Sequence, residues 1–415
     1  MTAIFPRAFT APFDRGGSGT RRFETVEAAV ATIADDQPVH VLYPEAIARA
    51  ADAFLTAFPG TVMYAVKCNP APEALALLAE SGIRDFDVAS IAEIDAVRAA
   101  APDAHMYFMH PVKSRRAIRY AYGAGIRDFA LDSLDELRKI EEETGADDLT
   151  LIIRLALPKG GAALDLSGKF GAEGEEAVAL LRAARTCATR LGISFHVGSQ
   201  CLDPEAFARA IALARKLVDR AGVALDILDV GGGFPVAYPD MTPPPLADFL
   251  AAIRRAVADE GFTSAELWCE PGRALIAEGG SVLVKVELRK GDKLYLNDGT
   301  FGALFDAGTL GWRYPVRRVS MAMREAHPLR NFVFFGPTCD SMDRMEGPFL
   351  LPGDMAEGDW IEIGNLGAYG YAMRTHFNGF HSDETILIAP RERSGAAIMP
   401  LSPKFRVDMV RPTAM

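Results

Sequence analysis

Lys67 lies where an apolar segment of the chain gives way to a loop. Residues 61–66 are rich in β-branched and aromatic side chains, and Cys68-Asn69-Pro70 follows the lysine. This composition predicts a buried strand that ends at Lys67. Ammonium groups are almost never fully buried without a partner, and desolvation lowers the pKa of an amine so that its neutral form can make a Schiff base. Lys67 is therefore a candidate for covalent chemistry, with an exposed lysine at a strand end as the ordinary alternative.

Two loops that contain glycine follow later apolar segments. Gly231-Gly232-Gly233 comes after residues 227–230, and Glu270-Pro271-Gly272-Arg273 comes after residues 265–269. Glycines permit positive φ angles and a close approach of the backbone, so that successive N–H groups converge on an anion. A tight turn would explain the first loop alone. The second loop adds another glycine and an arginine, which favours a phosphate site.

Strands and helices must alternate to position these residues. We predict eight strands at residues 62–66, 85–89, 105–109, 128–131, 149–155, 193–197, 227–230 and 265–269. Apolar residues recur at three- and four-residue steps between them, which predicts helices at 72–80, 91–100, 114–122, 134–142, 176–191, 204–221 and 246–259. Alternation implies a parallel sheet, and eight repeats predict a (β/α)8 TIM-like barrel, with an open doubly wound sheet as the alternative.

Polar side chains recur at the predicted strand ends, which is where such barrels carry out chemistry. These ends carry Lys67, Asp87, His110, Asp132, Arg154, His196, the Gly231-Gly232-Gly233 run and Glu270. Taken singly, the two aspartates could be helix N-caps and His110 a turn residue. Taken together, they predict an active site at one mouth of the barrel.

The pattern changes after Arg273. Short apolar segments at 281–288, 293–296, 332–335, 360–364 and 385–388 are separated by Gly, Pro and Asp turns without long helices. This pattern predicts an all-β second domain, a sandwich or a small barrel, to which the N-terminal forty residues could add strands. We therefore place the α/β barrel at residues 40–274 and the β-domain at residues 1–39 and 275–415.

Composition restricts the partners of the chain. Its 415 residues favour about two domains, and 44 Lys and Arg against 55 Asp and Glu give a net charge of −11, which argues against nucleic-acid binding. No apolar run approaches the roughly 18 residues of a membrane span, and no secretory signal is visible. Five widely spaced cysteines indicate free thiols in a cytoplasmic protein, without a disulfide framework or a metal site.

Five motifs together resemble a known family. They are Ala65-Val66-Lys67-Cys68-Asn69, His196-Val197-Gly198-Ser199, Gly231-Gly232-Gly233-Phe234, Glu270-Pro271-Gly272-Arg273 and Gly336-Pro337-Thr338-Cys339-Asp340. The chain resembles the alanine-racemase-fold, pyridoxal-phosphate-dependent decarboxylases of basic amino acids, most closely the ornithine decarboxylases, from about residue 40 to residue 388. The resemblance implies the cofactor pyridoxal 5'-phosphate.

The resemblance also implies roles for individual residues. Lys67 would hold the cofactor through a Schiff base, His196 would stack on its ring, and Glu270 would keep the pyridine nitrogen protonated. A protonated ring is the electron sink for the carbanion that remains when CO2 departs. The cofactor phosphate would be bound by Ser199, Gly233, Gly272, Arg273 and Tyr369, and the cofactor would be kept oriented by Asp87 and Arg154.

Cys339 and Asp340 resemble a pair that reaches across a dimer interface into the other subunit's site. Cys339 would manage reprotonation at Cα, and Asp340 would bind the distal ammonium of the substrate. The related diaminopimelate decarboxylases usually carry glutamate at this acidic position, so Asp340 favours a simple diamino acid. The resemblance thus implies a homodimer with shared active sites that converts L-ornithine to putrescine in polyamine biosynthesis.

One departure from the family leaves the substrate open. The eukaryotic enzymes bind the distal amine with a Tyr-Asp pair, and an alignment without gaps places Thr309-Leu310 there. Asp306 could take over this role or be a plain turn residue. Lysine, arginine, diaminopimelate or another ω-amino acid therefore remain alternative substrates. A racemase would need a tyrosine in place of Cys339, and a regulatory paralogue without activity would commonly lack the cofactor residues that are present here.

Overall fold

A closed barrel of eight parallel strands forms the centre of the part of the chain that the computed structural model describes, residues 20–33, 36–158, 162–164, 168–320 and 327–389. Its strands are Thr61–Ala65, Asp85–Val88, His105–Phe108, Asp128–Leu131, Thr150–Arg154, Arg190–Ser194, Ile227–Asp229 and Glu266–Cys269. The last strand pairs with the first, with Trp268 opposite Thr61. This closure confirms the predicted barrel and excludes the open sheet.

Helices cover the outside of the barrel. They span Pro44–Ala57, Pro72–Glu80, Ile91–Ala100, Arg115–Gly123, Leu134–Thr144, Gly174–Cys187, Glu205–Ala221 and Leu246–Asp259. Ser90, Ser114 and Ser133 each accept the backbone N–H three residues further on, which fixes where three of these helices begin. The helix predicted to reach residue 191 ends at Cys187, because residues 190–194 form a barrel strand. Within the described ranges, no helix combines the length and the apolarity that a membrane crossing needs.

Side chains fill the interior of the barrel. Successive residues of a strand point to opposite sides, and one set packs inside as a buried cluster of Met63, Tyr107, Met109, Ala130, Ile152, Ile227 and Trp268. The other set packs against the helices in the main core. The barrel is therefore a packed core rather than a pore, so a ligand must bind at the strand ends.

A second, mixed sheet lies outside the barrel and contains nine strands within the described ranges. They are Arg21–Phe23, Val39–Leu42, Gly280–Lys290, Lys293–Leu296, Val316–Val319, Leu329–Phe335, Arg344–Pro352, Trp360–Ile363 and Thr385–Ile388. The long strand Gly280–Lys290 pairs with three others, so the sheet branches there. Both N-terminal strands belong to this sheet, as predicted. The predicted barrel boundary at residue 40, however, falls inside the outer strand Val39–Leu42.

Short elements lie in the connections between these strands and helices. They are the helices Val26–Val30, Arg273–Ile276 and Phe305–Thr309, the 3-10 turns Val66–Cys68, Ala277–Gly279 and Phe377–Gly379, and a ribbon of Ala162–Leu164 with Ser199–Cys201. Three of them carry predicted site residues at the barrel mouth: Lys67 in the first turn, Arg273 at the start of its helix and Ser199 in the ribbon. The mouth is thus built from strand ends and from these short turns.

Candidate active site

Lys67 is held at the barrel mouth by a turn and an ion pair. The strand ends at Ala65, and Lys67 lies in the following 3-10 turn. Its Nζ is 3.1 Å from Asp87 Oδ2, and the lysine side chain is 48% exposed whereas that of Asp87 is 4% exposed. Burial opposes the positive charge, but Asp87 and Glu270 outweigh burial and raise the pKa of Lys67. The lowered pKa that the sequence predicts is therefore wrong, because two carboxylates face the amine.

Glu93 is a third carboxyl group near Lys67 and was missed by the sequence analysis. Its Oε2 accepts the N–H of Ala89 at 2.7 Å, and its own N–H bonds the cap Ser90 at 3.2 Å. Burial raises the pKa of Glu93 to about 7, with a contribution from Asp87. The spacing of Ser90 and Glu93 is that of a capping box, so the position was detectable, but its proximity to Lys67 was not.

Glu270 forms a buried pair with Asp229. The Glu270 N–H donates to Gly231 O at 2.9 Å, which ties the two glycine loops together. Glu270 is 3% exposed. Burial, followed by the charge of Asp229, raises the pKa of Glu270 well above its usual range, and burial raises the pKa of Asp229 to about 6. Burial and the mutual repulsion of the two carboxyl groups thus both disfavour their charged forms.

Two buried carboxyl oxygens of this pair are free to accept a further hydrogen bond. Among the described residues, Glu270 Oε1 and Asp229 Oδ2 make no hydrogen bond, while Asp229 Oδ1 accepts the N–H of Gly231 at 2.8 Å. A buried acceptor without a donor is costly, so Glu270 Oε1 fits the N–H of a protonated pyridine ring. Asp229 was also missed, although it stands directly before the glycine run.

His196 presents a neutral ring. Burial, and then the positive charges of Arg154 and Lys67, lower the pKa of His196 well below its usual range. Its Nδ1 accepts the N–H of Gly198 at 3.0 Å, so the proton of the neutral ring is on Nε2. A neutral, planar ring held in this way is suited to stacking on an aromatic cofactor. Arg154, at the end of its strand, contributes charge rather than contact.

The glycines of the two loops allow close backbone contacts. A Cβ on Gly232 would lie 2.6 Å from Glu270 O, and a Cβ on Gly233, whose φ is +99°, would lie 2.4 Å from Gly198 O. A Cβ on Gly272 would lie 2.2 Å from Cys68 Sγ. No side chain fits at these three positions, and the exposed backbone N–H groups form the surface that an anion needs.

Arg273 is buried between aromatic rings. Its Nη1 donates to Tyr238 Oη at 2.9 Å, and its guanidinium carbon lies 4.5 Å from the ring centre of Trp312 and 4.7 Å from that of Tyr369. Asp306 Oδ2 is 3.5 Å from Nη2. Arg273 Nε makes no hydrogen bond within the described part of the chain. This unpaired donor fits a phosphate oxygen.

These residues surround a single cavity with an empty volume of about 300 Å³. Eight of the predicted site residues line it, namely Lys67, His196, Ser199, Gly233, Glu270, Gly272, Arg273 and Tyr369. Asp87 contacts it through Lys67. His110 and Asp132 instead accept hydrogen bonds from the N–H groups of Val112 and Gly171, respectively. No group of three metal-ligating side chains is found in the described ranges.

Asp306 is buried beside Arg273. It lies in the short helix Phe305–Thr309, is 7% exposed, and directs its carboxylate at Arg273. Its carboxylate is paired with a buried cation, and Asp306 is not among the residues that line the cavity. This position does not support binding of the distal amine of the substrate by Asp306, which stays a prediction.

Cys339 and Asp340 lie outside the cavity of their own chain. Cys339 is exposed and Asp340 is partly buried, in a turn between two strands of the outer sheet. Asp343 anchors the turn by accepting the N–H and the hydroxyl of Thr338 at 3.0 and 2.7 Å. The N–H of Cys339 donates to Asn378 Oδ1 at 3.0 Å. The turn is thus held in shape while its two predicted functional side chains face outward.

Comparison with known proteins identifies the family. The family model "Pyridoxal-dependent decarboxylase, pyridoxal binding domain" matches residues 45–277. The chain belongs to this family. It is a pyridoxal-phosphate-dependent amino-acid decarboxylase, and the cavity described above fits that cofactor. Over 347 residues this decarboxylase is 33% identical to the lysine/ornithine decarboxylase of Selenomonas ruminantium, covering 81% of this chain and 86% of the relative.

Other similar proteins carry different names. The solved arginine decarboxylase of Paramecium bursaria Chlorella virus aligns with a TM-score of 0.78 and 27% identity, over 88% of this chain and 99% of that one. The lysine/ornithine decarboxylase of Vibrio vulnificus, complexed with putrescine, aligns with a TM-score of 0.75 and 31% identity, over 87% and 96%. Antizyme inhibitor 2 of Xenopus laevis is 31% identical over 81% of this chain and 78% of its own length. The family therefore does not decide the substrate.

Proposed function

We propose that this decarboxylase converts L-ornithine to putrescine and so supplies polyamine biosynthesis. The observation that carries the proposal is the single cavity in which Lys67, Glu270 and Arg273 meet. Asp340 supports a substrate with a simple distal ammonium group, because a carboxylate makes a charge-assisted hydrogen bond with it. The relatives named for ornithine support the same choice.

The residues of the cavity would divide the binding of the cofactor among them. Lys67 would hold it covalently, while Arg273, Ser199 and the glycine backbones would bind its phosphate. Glu270 would accept the ring N–H through the oxygen that is now unpaired. When bound, the cofactor supplies a protonated ring that accepts the electron pair released with CO2.

The remaining side chains would orient and protect the reacting atoms. His196 would cover one face of the ring with its neutral imidazole and exclude water from it. Asp87 would hold the Lys67 ammonium after the substrate displaces it, because the two groups already lie 3.1 Å apart. Proton transfer to Cα would come from Cys339, which has a donor S–H.

Cys339 and Asp340 would come from a second copy of the chain. Cys339 is exposed, Asp340 is partly buried, and neither lines the cavity of its own chain. Large apolar side chains are exposed around this turn: Met342 is 66% exposed, and Phe377 and Phe380, each 42% exposed, lie on either side of Asn378, which accepts the N–H of Cys339. Exposed apolar surface of this kind marks an interaction site. We therefore include a homodimer with shared sites in the proposal, together with a cytoplasmic location, which the five free cysteines support.

Release of CO2 from several amino acids tests this function. The purified protein is supplied with pyridoxal 5'-phosphate and with L-ornithine, L-lysine, L-arginine or diaminopimelate in turn. We expect the highest kcat/KM with ornithine. A higher kcat/KM with lysine or arginine would support decarboxylation but would show that ornithine is not the preferred substrate. No turnover with any of the four would contradict the proposal and favour a regulatory protein, as the similarity to an antizyme inhibitor allows.

A further inference from the structure

We propose that Asp306 is a positioning residue, which fixes the guanidinium of Arg273 so that its free N–H faces the cofactor phosphate. The proposal rests on the role of Arg273 in the proposed function. Asp306 does not line the cavity, but under this proposal its buried carboxylate affects the affinity for the cofactor.

Two contacts anchor the outer nitrogens of Arg273. Tyr238 Oη accepts from Nη1 at 2.9 Å, and Asp306 Oδ2 lies 3.5 Å from Nη2. The side chains of Arg273 and Asp306 are only 4% and 9% exposed, so water competes little for either contact. Nε is buried and has no acceptor among the described residues. Asp306 Oδ2 makes no hydrogen bond in the described part of the chain, so its contact with Nη2 is an ion pair. The arrangement leaves the Nε donor free and restrains Nη1 and Nη2 by one contact each.

Aromatic rings fix the plane of the same guanidinium. Trp312 and Tyr369 lie 4.5 and 4.7 Å from its central carbon, within the range of cation–π contacts. Trp312 packs in turn on Tyr238, with ring centres 5.3 Å apart. A long, flexible arginine held on these sides loses little further freedom when it binds an anion.

Asp306 also holds the residue that stacks on Arg273. Its backbone carbonyl accepts the N–H of Leu310 at 3.0 Å and that of Trp312 at 3.2 Å. One residue therefore pairs with the guanidinium through its carboxylate and places the indole of Trp312 through its backbone. This double contact is the reason to assign positioning, rather than charge balance, to Asp306.

Removal of the Asp306 carboxylate changes the affinity for the cofactor in opposite directions for the two roles, positioning and charge balance. A carboxylate beside Arg273 repels a phosphate by its charge alone, so its removal would then increase the affinity for pyridoxal 5'-phosphate. If Asp306 positions Arg273, its removal decreases that affinity, because the guanidinium must be ordered on binding. Pyridoxal, which lacks the phosphate, is insensitive to Arg273 in both cases.

Binding of the two compounds to cofactor-free protein tests the proposal. Kd values for pyridoxal 5'-phosphate and pyridoxal are measured by absorbance for wild type, Asp306→Ala and Asp306→Asn, with the exposed Asp248→Asn as a control. We expect the Kd of the phosphorylated compound to rise about tenfold in Asp306→Ala, the equivalent of one charged contact. Asp306→Asn keeps an oxygen acceptor and should show a smaller rise. The Kd of pyridoxal should change less than about twofold.

Every other outcome contradicts either this proposal or the proposed function on which it rests. An unchanged or lower Kd for pyridoxal 5'-phosphate, or an equal rise for both compounds, would overturn the role of Asp306. If Asp306→Ala binds neither compound, the substitution has disrupted the cavity. The two Kd values of Asp306→Asn then test the proposal. Arg273→Ala tests the proposed function separately from the role of Asp306. If this variant still prefers pyridoxal 5'-phosphate over pyridoxal as wild type does, the proposed role of Arg273 fails as well.

Discussion

The barrel mouth and the Cys339-Asp340 turn differ in how their functional groups are held. At the mouth, Glu270 and Arg273 are 3% and 5% exposed, and residues of several strand ends restrain one another. In the turn, Cys339 is exposed and Asp340 is partly buried, and only local hydrogen bonds hold them: the N–H of Cys339 donates to Asn378, and the Asp340 carboxylate accepts the N–H of Met342. The difference fits the proposal that one chain builds the cofactor site, whereas the groups that bind the substrate would come from a second copy of the chain.

Lys67→Ala should cause the largest loss, because the mouth then lacks its covalent anchor. We expect decarboxylation to fall by at least about a thousandfold, together with the visible absorbance of the bound cofactor. CO2 release and an absorbance spectrum measure both. Lys216→Ala, an exposed lysine on the helix Glu205–Ala221, is the control and should resemble wild type. Retention of the absorbance band in Lys67→Ala would exclude Lys67 as the anchor.

Glu270→Gln should separate chemistry from binding at the same mouth. The amide keeps the shape of the side chain but loses the charge that stabilises a protonated ring. We expect kcat to fall about a hundredfold while the absorbance of bound cofactor persists and KM changes little. Steady-state kinetics and the spectrum test this pattern. A fall in cofactor binding with normal kcat would instead give Glu270 a structural role.

Asp340→Ala should affect the substrate and leave the cofactor site intact. Loss of one charge-assisted hydrogen bond is expected to lower kcat/KM for ornithine roughly ten- to hundredfold. The Kd of pyridoxal 5'-phosphate should stay at its wild-type value, because Asp340 does not line the cavity of its own chain. A weaker affinity for the cofactor would show that the two regions are not separate.

Acid should destabilise the protein through His40 of the outer sheet. Burial, and then the charge of Arg374, lower the pKa of His40 to about 3, against about 6.5 in the unfolded chain. Between these values the unfolded chain binds the additional proton, so stability falls by about 1.4 kcal/mol for each unit that the pH drops. His40→Gln should show a shallower decline in urea midpoint below about pH 6.5. An unchanged slope would contradict the assignment.

The sequence was sufficient for the barrel because its signals are local. Each strand and helix shows its own apolar period, and Lys67, Glu270 and Arg273 stand directly at strand ends. The strand Arg344–Pro352 was missed because Gly347-Pro348 interrupts it with a turn signal. Val316–Val319 was missed because two of its four residues are arginines.

The electrostatics of the site were not predictable in the same way. The pKa of Lys67 depends on Asp87 and Glu270, which other strands bring to it. The partner of Asp306 is likewise set by tertiary packing, since the aromatic rings around Arg273 come from separate loops. Residue type shows which groups have the capacity for chemistry, and only the fold shows which of them meet.

Mixing two inactive variants tests the central claim that the two regions of one active site come from different chains. Lys67→Ala subunits are combined with subunits that carry Cys339→Ala and Asp340→Ala, under conditions that allow subunit exchange. Decarboxylation should reappear, because one site of the mixed dimer is intact. A mixture of Lys67→Ala with Glu270→Ala should stay inactive, since both changes lie at the barrel mouth. Failure of the first mixture to recover activity, or recovery in the second, would contradict the account.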